Sequence, residues 1–134
     1  MQRKPEIAHQ WIAPGGDLAD ASMIRRIVFI DEQHVSEEEE WDGLDPLCDH
    51  IVLYVDGKPA ATGRIVWGEP VLLGRIAVLR EHRGTGLGAE VVNRLADKAF
   101  AKGAEEVHLH AQLHARGFYE KLGFTAYGDI YEEA

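Results

Sequence analysis

Cysteine is nearly absent from this 134-residue chain: Cys48 stands alone. No intramolecular disulfide can form, so packing has to hold the fold, and a reducing cytoplasm is the expected home. Long apolar runs are missing as well. No segment approaches the roughly 20 apolar residues that a membrane span needs. The opening M-Q-R-K-P-E-I-A-H-Q has no apolar stretch of the signal-peptide kind. Positive charge is scarce, with 14 Lys and Arg against 23 Asp and Glu and a formal net charge of -9. That balance argues against a general nucleic-acid binder. Repeats, linkers and low-complexity segments are lacking apart from one acidic run. The reading is one domain over residues 1–134, with 46% hydrophobic and 28% charged residues in the usual globular proportion.

The most informative stretch is Arg75 to Gly88, R-I-A-V-L-R-E-H-R-G-T-G-L-G. Ile76-Ala77-Val78-Leu79 fits a buried strand. Gly84, Gly86 and Gly88 follow at every second position, and an amphipathic helix starts at once. A strand, a glycine-rich turn and a helix N-terminus together make an anion site, because the first helical N–H groups have no internal partner. Arg83 adds a forked donor suited to phosphate. Three readings compete: a plain turn, a dinucleotide loop and a pyrophosphate cradle. Gly84-x-Gly86-x-x-Ala89 formally matches the relaxed dinucleotide fingerprint. Four polar residues separate it from the strand, however, and the next strand ends in Ala111-Gln112 without the ribose-binding acid. No Lys-Ser/Thr pair follows the glycines, which excludes a Walker loop. The basic cluster of Arg75, Arg80, His82 and Arg83 would work locally against the acidic global field.

Around this stretch the chain reads as follows. Ile7 to Ile12 is a strand. Asp17 or Asp20 caps a helix with Ala21, Ile24, Ile27 and Val28 inward and Arg25 and Arg26 outward. Glu37 to Asp49 carries seven acids and no base. It is either a solvated face or an acidic rim that collects a cationic substrate and supplies a base, and Trp41 inside it favours the rim. His50–Val55, Lys58–Trp67 and Val71–Leu79 form an antiparallel meander joined by Asp56-Gly57 and Gly68-Glu69-Pro70. Thr85 caps the next helix, which buries Leu87, Val91, Leu95 and Ala99 and stops at Gly103. Glu105–Ala111 then pairs in parallel with Val71–Leu79, completing a right-handed βαβ unit. Leu113–Leu122 is a short helix, and Phe124 to Tyr127 starts a last strand.

A second motif lies 24 residues beyond Gly88: Gln112-Leu113-His114-Ala115-Arg116-Gly117-Phe118-Tyr119-Glu120-Lys121-Leu122-Gly123-Phe124. With Arg83-x-x-Gly86-x-Gly88 before it, the chain resembles the GNAT N-acetyltransferase superfamily over nearly its whole length. Val28-Phe29-Ile30-Asp31-Glu32-Gln33-His34-Val35, Asp45-Pro46 and His50 are similar to its small bacterial ElaA-like subgroup. The resemblance implies an α+β fold: a mixed, mostly antiparallel sheet of six or seven strands with helices on both faces and a parallel βαβ unit at the cofactor site. It implies acetyl-CoA as cosubstrate. Backbone groups of Ile76, Ala77 and Val78 would pair with the pantetheine arm. Arg83, Gly84, Thr85, Gly86, Leu87 and Gly88 would hold the pyrophosphate. Tyr119 would contact the cofactor and act as general acid. Gln112 stands where many members have an asparagine that contacts the cofactor.

Acyl transfer to an amine needs a base, an oxyanion donor and an acid for the thiolate. The Val78 N–H suits the second task, and a phenol with pKa near 10 suits the third. Glu40, Asp42, Asp45, Glu69 and His110 are all candidate bases. His108, His110 and His114 invite a metal reading, but no carboxylate or cysteine stands at ligand spacing, and no metal is expected. The activity expected is acetyl transfer to a small-molecule or peptidyl amine, with a cationic amine drawn to the acidic run. The alternative is a non-catalytic acyl-CoA-binding module that senses or docks. The superfamily has a further strand after the one begun by Phe124, whereas the chain ends at Ala134. That strand is either missing or lent by a second chain in a homodimer.

Overall fold

The structure is a computed structural model that describes residues 3–127. Five strands make one sheet in sequential order: β1 (Ile7–Ile12), β2 (Asp49–Val55), β3 (Lys58–Val66), β4 (Val71–Val78) and β5 (Val107–Leu109). β1 to β4 are antiparallel, and β5 joins β4 in parallel. The β2–β3 turn is set locally: Asp56 and Gly57 both take positive φ, 49° and 80°, as the two-residue hairpin turn requires.

Side chains alternate across a strand, so one sheet builds two cores. Ile51 and Leu53 of β2, with Ala61 and Ile65 of β3, face α3 (Leu87–Ala101) and meet Leu87, Val91 and Leu95. Val52 of β2 and Ala77 of β4 face the other way, onto Ala21, Ile24 and Val28. Each fully buried Val or Leu contributes about 1.5–3 kcal/mol, so the α3 stripe is a principal anchor of the fold. At Gly63 of β3 the side chains of α3 leave no room for a Cβ. A Cβ there would lie 2.7 Å from Val91 Cγ1 and 2.8 Å from Leu95 Cδ1.

On the second face, α1 (Ala19–Arg25) continues as a π-helix, Arg26–Glu32. Asp17 starts it by accepting the Ala19 N–H at 2.9 Å. Arg26 is exposed as expected, but Arg25 is not outward: it is 1% exposed. The reason lies across the chain, in the carboxylates of the acidic run. There α2 (Glu37–Glu40) is a single turn capped by Ser36, whose Oγ accepts the Glu39 N–H.

Three further expectations are corrected. The described residues hold five strands, not six or seven. Phe124–Tyr127 pairs with no strand, because the Phe124 N–H is taken by the Tyr119 carbonyl at 3.1 Å in the turn that closes α4 (Arg116–Lys121). The Phe124 side chain then packs against the α3-side core. β5 is three residues long rather than seven. Thr85 does not cap α3: Gly86 occupies the N-cap with φ 89°, and the Thr85 hydroxyl donates to the His82 carbonyl instead. The strand expected beyond Tyr127 lies outside the described residues.

Candidate active site

The site begins with a parity change in β4. Leu73 and Ile76 pack on the same side of the sheet although three residues apart. This is possible because Gly74 pairs with Arg64 and Ala77 with Thr62, so Arg75 and Ile76 together oppose the single residue Gly63. Such a bulge bends its strand. Arg75 sits in it at φ 49°, unusual for a residue with a side chain. β4 pairs with β5 only through Val71–Leu73 opposite Val107–Leu109. Beyond that the two strands separate, and a cleft of about 660 Å³ opens between them.

One wall of the cleft is Gly74, Arg75 and Ile76. The opposite wall is Leu109 to Gln112 with His114, Ala115 and Tyr119. Phe29 and Gln33, from the π-helix and its end, and Glu39 and Glu40 from α2 also line it. Backbone groups of β4 face the gap selectively. The Leu79 N–H donates to Ala60 of β3 at 2.9 Å. Peptide groups alternate sides along a regular strand, so Ala77 also points to β3, whereas Val78 points away from it. Of Ile76, Ala77 and Val78, Ile76 lines the cleft and Ala77 pairs with Thr62 of β3.

At the end of the cleft β4 runs through the 3-10 turn Arg80–His82 into the glycines. Gly84 and Gly86 take φ 79° and 89°. A Cβ on either would meet nothing within 4 Å, so the loop surface is open to an approaching group. No side chain caps α3, which leaves the N–H groups of Leu87, Gly88 and Ala89 without a side-chain acceptor. Gly88 serves packing instead: a Cβ there would lie 3.4 Å from Phe118 Cζ of α4. These features suit a pyrophosphate on the helix dipole. Two of the four residues of the expected basic cluster are directed away from the loop. Arg83 donates from Nε to the Val78 carbonyl at 3.0 Å and from Nη2 to Glu32 at 2.8 Å. Arg75 turns to the acidic run.

That run is neither a uniformly solvated face nor an open acidic rim. Arg25 donates to Glu40 Oε2 at 2.6 Å and to Asp45 Oδ1 at 2.7 Å. Arg64, from the middle of β3, donates to both oxygens of Asp42, at 3.0 and 2.6 Å, and to Asp45 at 2.8 Å. Arg75 donates to the Glu39 and Glu40 carbonyls and to Asp42. Three arginines therefore answer three acids. Asp49 accepts from Trp67 Nε1 at 2.6 Å, and Glu37 accepts from Arg26. The Arg64 hydrogen bonds hold the Asp42 carboxyl at about 2. Burial works against ionisation of Asp45, but bonds and charge from Arg25 and Arg64 outweigh it and its pKa is lowered. Burial lowers His50, whose Nε2 lies 3.0 Å from the Asp45 carbonyl oxygen.

Most candidate bases are thereby placed elsewhere. Asp42, Asp45 and Glu69 do not line the cleft. Glu40 does, but it is 2% exposed and held by Arg25, with Arg75 Nε 3.4 Å away. His110 is exposed on the cleft wall. His108 is turned to the Tyr127 hydroxyl and to Glu106. Tyr119 is half-buried in the cleft, edge-on to Phe118 and Phe124, and burial raises its pKa. Gln112 lines the same wall. Sequence reasoning missed the Arg25–Arg64–Arg75 network and Glu32. The available signal was Arg64, a lone cation inside the strand A-A-T-G-R-I-V, which has to find carboxylates if buried.

A sheet splayed between β4 and β5, with an uncapped glycine-rich helix start at the mouth, defines an acyl-CoA N-acyltransferase architecture. Residues 18–124 match the Acetyltransferase (GNAT) family, and the chain belongs to it. Uncharacterized protein YyaT of Bacillus subtilis (strain 168) is 44% identical over 117 residues, covering 84% of this chain and 79% of that protein. Escherichia coli ElaA superposes with a TM-score of 0.87 at 26% identity, over 96% of this chain and 94% of the other. An acyl-CoA N-acyltransferase from Pseudomonas aeruginosa gives 0.84 at 26% identity, over 96% and 93%.

Proposed function

We propose that this chain transfers the acetyl group of acetyl-CoA to a primary amine by direct attack on the thioester. The observation that supports this most is the cleft itself: outward-facing peptides of β4 on one side, Tyr119 on the other, and the open glycine turn at its mouth. Acetyl-CoA supplies the activated acyl group. The N–H groups at the start of α3, with Gly84 and Gly86, hold the pyrophosphate. Ile76 and Val78 offer strand-like hydrogen bonds to the pantetheine arm, and Gln112 contacts the cofactor from the facing wall. The Val78 N–H polarises the thioester carbonyl. Tyr119, kept protonated by burial, gives its proton to the departing thiolate.

His110 is the base in this reading. It lines the cleft and is exposed, whereas the carboxylates of the network are committed to arginines. The acceptor is a cationic amine. With Glu40, Asp42 and Asp45 neutralised, attraction comes from the exposed Glu38 and Glu39, and less from Glu37, which is paired with Arg26. A non-catalytic acyl-CoA binder would use the same cradle but would have no need of Tyr119 and His110 in the cleft.

The test is calorimetric titration of acetyl-CoA into the full chain and a Gly86→Glu variant, with thiol release followed over an amine panel. Gly86 takes φ 89°, so glutamate there adds backbone strain as well as charge at the phosphate. Binding by the parent chain, loss of it in a folded variant, and amine-dependent thiol release are expected. Equal affinity in both proteins overturns the cradle. Binding without thiol release from any amine leaves the binder reading.

A further inference from the structure

Arg83 is the one arginine of the glycine-loop motif, and a guanidinium there would ordinarily be given to phosphate. Its donors are directed differently. Nε reaches back to the Val78 carbonyl at 3.0 Å, and Nη2 is held by Glu32 Oε2 at 2.8 Å. Glu32 is 51 residues away in sequence and closes the π-helix whose Phe29 lines the cleft. The pair is partly exposed, with side chains 43% and 20% accessible, and it ties the end of the π-helix to the segment that follows β4.

We propose that Arg83 serves the reaction through Val78 rather than through the phosphates. Glu32 fixes the guanidinium, the guanidinium fixes the Val78 carbonyl, and the last peptides of β4 are thereby set in the orientation that polarises the thioester. Val78 is the end of β4, and its peptide groups point off the sheet. The Leu79 N–H of the same peptide bonds Ala60 of β3 at 2.9 Å, so the sheet holds this peptide from one side and leaves its carbonyl outward. Pairing with β5 ends at Leu73, so without Arg83 the strand end would be held by β3 alone, and the aim of the neighbouring Val78 N–H would loosen. A donor has to be aimed within a few tenths of an ångström of the developing charge to be effective. Arg83 supplies a second anchor on the outward side, five residues downstream and across the 3-10 turn, and Glu32 removes the guanidinium's alternative of swinging to solvent. The charge of Arg83 is already answered by Glu32, and this lessens its value to a pyrophosphate. The phosphate site is then chiefly backbone: the glycines and the start of α3. Arg83 and Glu32 are positioning residues.

This inference rests on the acetyl-transfer reading, and two readouts keep them separable. In the full chain, Glu32→Gln and Arg83→Met are compared with the parent. First, the Val78 amide is followed by nitrogen-15 NMR for its shift and hydrogen exchange. Both variants should move its resonance and speed its exchange while their melting temperatures stay close to the parent's. Second, kcat and acetyl-CoA affinity are measured separately with the best amine. Arg83→Met should lower kcat about 10- to 100-fold with affinity changed less than about threefold, and Glu32→Gln should lower kcat by a smaller factor. The double variant should be no worse than Arg83→Met alone, since the two act in one chain of contacts. An unmoved Val78 amide in both variants overturns the inference whether or not the parent acetylates anything. So does a tenfold loss of acetyl-CoA affinity in Arg83→Met with kcat kept at saturation, which would make Arg83 a phosphate ligand. A parent chain that binds acetyl-CoA but releases no thiol overturns the transfer reading instead, and the Val78 amide still decides whether the clamp exists.

Discussion

Replacing Arg25 by methionine is the sharpest probe of how the acidic run is held. Methionine keeps most of the apolar stem and removes the fork, so packing loss is kept small. Arg25 is 1% exposed and donates three hydrogen bonds: to Glu40 Oε2 at 2.6 Å, to Asp45 Oδ1 at 2.7 Å and to the Glu40 carbonyl at 3.1 Å. Asp45 would keep Arg64. Glu40, 2% exposed, would keep only Arg75, 3.4 Å away and poorly aligned. The variant therefore leaves one carboxylate buried and nearly unpaired, a loss of about 3–5 kcal/mol. For a chain of this size, that corresponds to roughly 10–20 °C in melting temperature. Equilibrium urea unfolding gives the free energy, and calorimetry gives the midpoint. Glu38→Gln in the same run, exposed and without a partner among the described residues, should change stability by no more than about 0.5 kcal/mol. The pairing term is isolated by adding Glu40→Gln: the double variant should be less damaged than the sum, by about 0.5–3 kcal/mol. An Arg25→Met loss below about 1 kcal/mol, or strict additivity with Glu40→Gln, would refute the buried-clamp account and return the run to a solvated face.

Three other outcomes are expected. Tyr119→Phe keeps the edge-on contacts with Phe118 and Phe124 and removes the acid; kcat should fall ~10²–10⁴-fold with acetyl-CoA affinity little changed, and full activity would assign Tyr119 to packing. Glu37→Gln, Glu38→Gln and Glu39→Gln together should lower kcat/KM for a polycationic amine and flatten its salt dependence, because exposed charges act over a Debye length of about 8 Å; identical salt profiles in both proteins would exclude attraction by the run. The third concerns acid. Asp42 is held at about 2 against an ordinary 3.8, and Asp45 is also lowered. A depressed carboxyl contributes stability that is complete above its unfolded value and is lost as pH falls toward the folded one. Unfolding free energy should therefore drop between about pH 4 and pH 2, and more shallowly in Asp42→Asn, as measured by urea titration at each pH.

Much of the fold is local in origin, and so was legible in the chain. The stripe Leu87, Val91, Leu95 and Ala99 repeats at helical spacing, and all four are buried. Asp56-Gly57 specifies its own turn, and that turn fixes the pairs beside it, Val55 with Lys58 and Tyr54 with Pro59. The glycine spacing after Val78 reads as an open turn because positive φ and the absence of a Cβ are properties of single residues.

What only the tertiary structure decided involves partners far apart in sequence. Helical spacing put Arg25 outward, but carboxylates 15 and 20 residues later draw it inward. The seven acids carry no mark that separates Glu38, in water, from Glu40, buried; the difference is made by Arg25, which bonds Glu40, and by Arg75 in the bulge beside it. The bulge itself is written in no local pattern. It appears only when β4 must serve the α3 core at both Leu73 and Ile76 while pairing with β3. Phe124 illustrates the converse: its sequence suits a strand, yet its N–H and ring are claimed by the end of α4 and the α3-side core. Composition and periodicity determine which elements form, because backbone and side-chain preferences act within a few residues. Which charges are buried, where β4 bends and what faces the cleft depend on long-range pairing, because burial and ion-pair energies exist only once the partners have met.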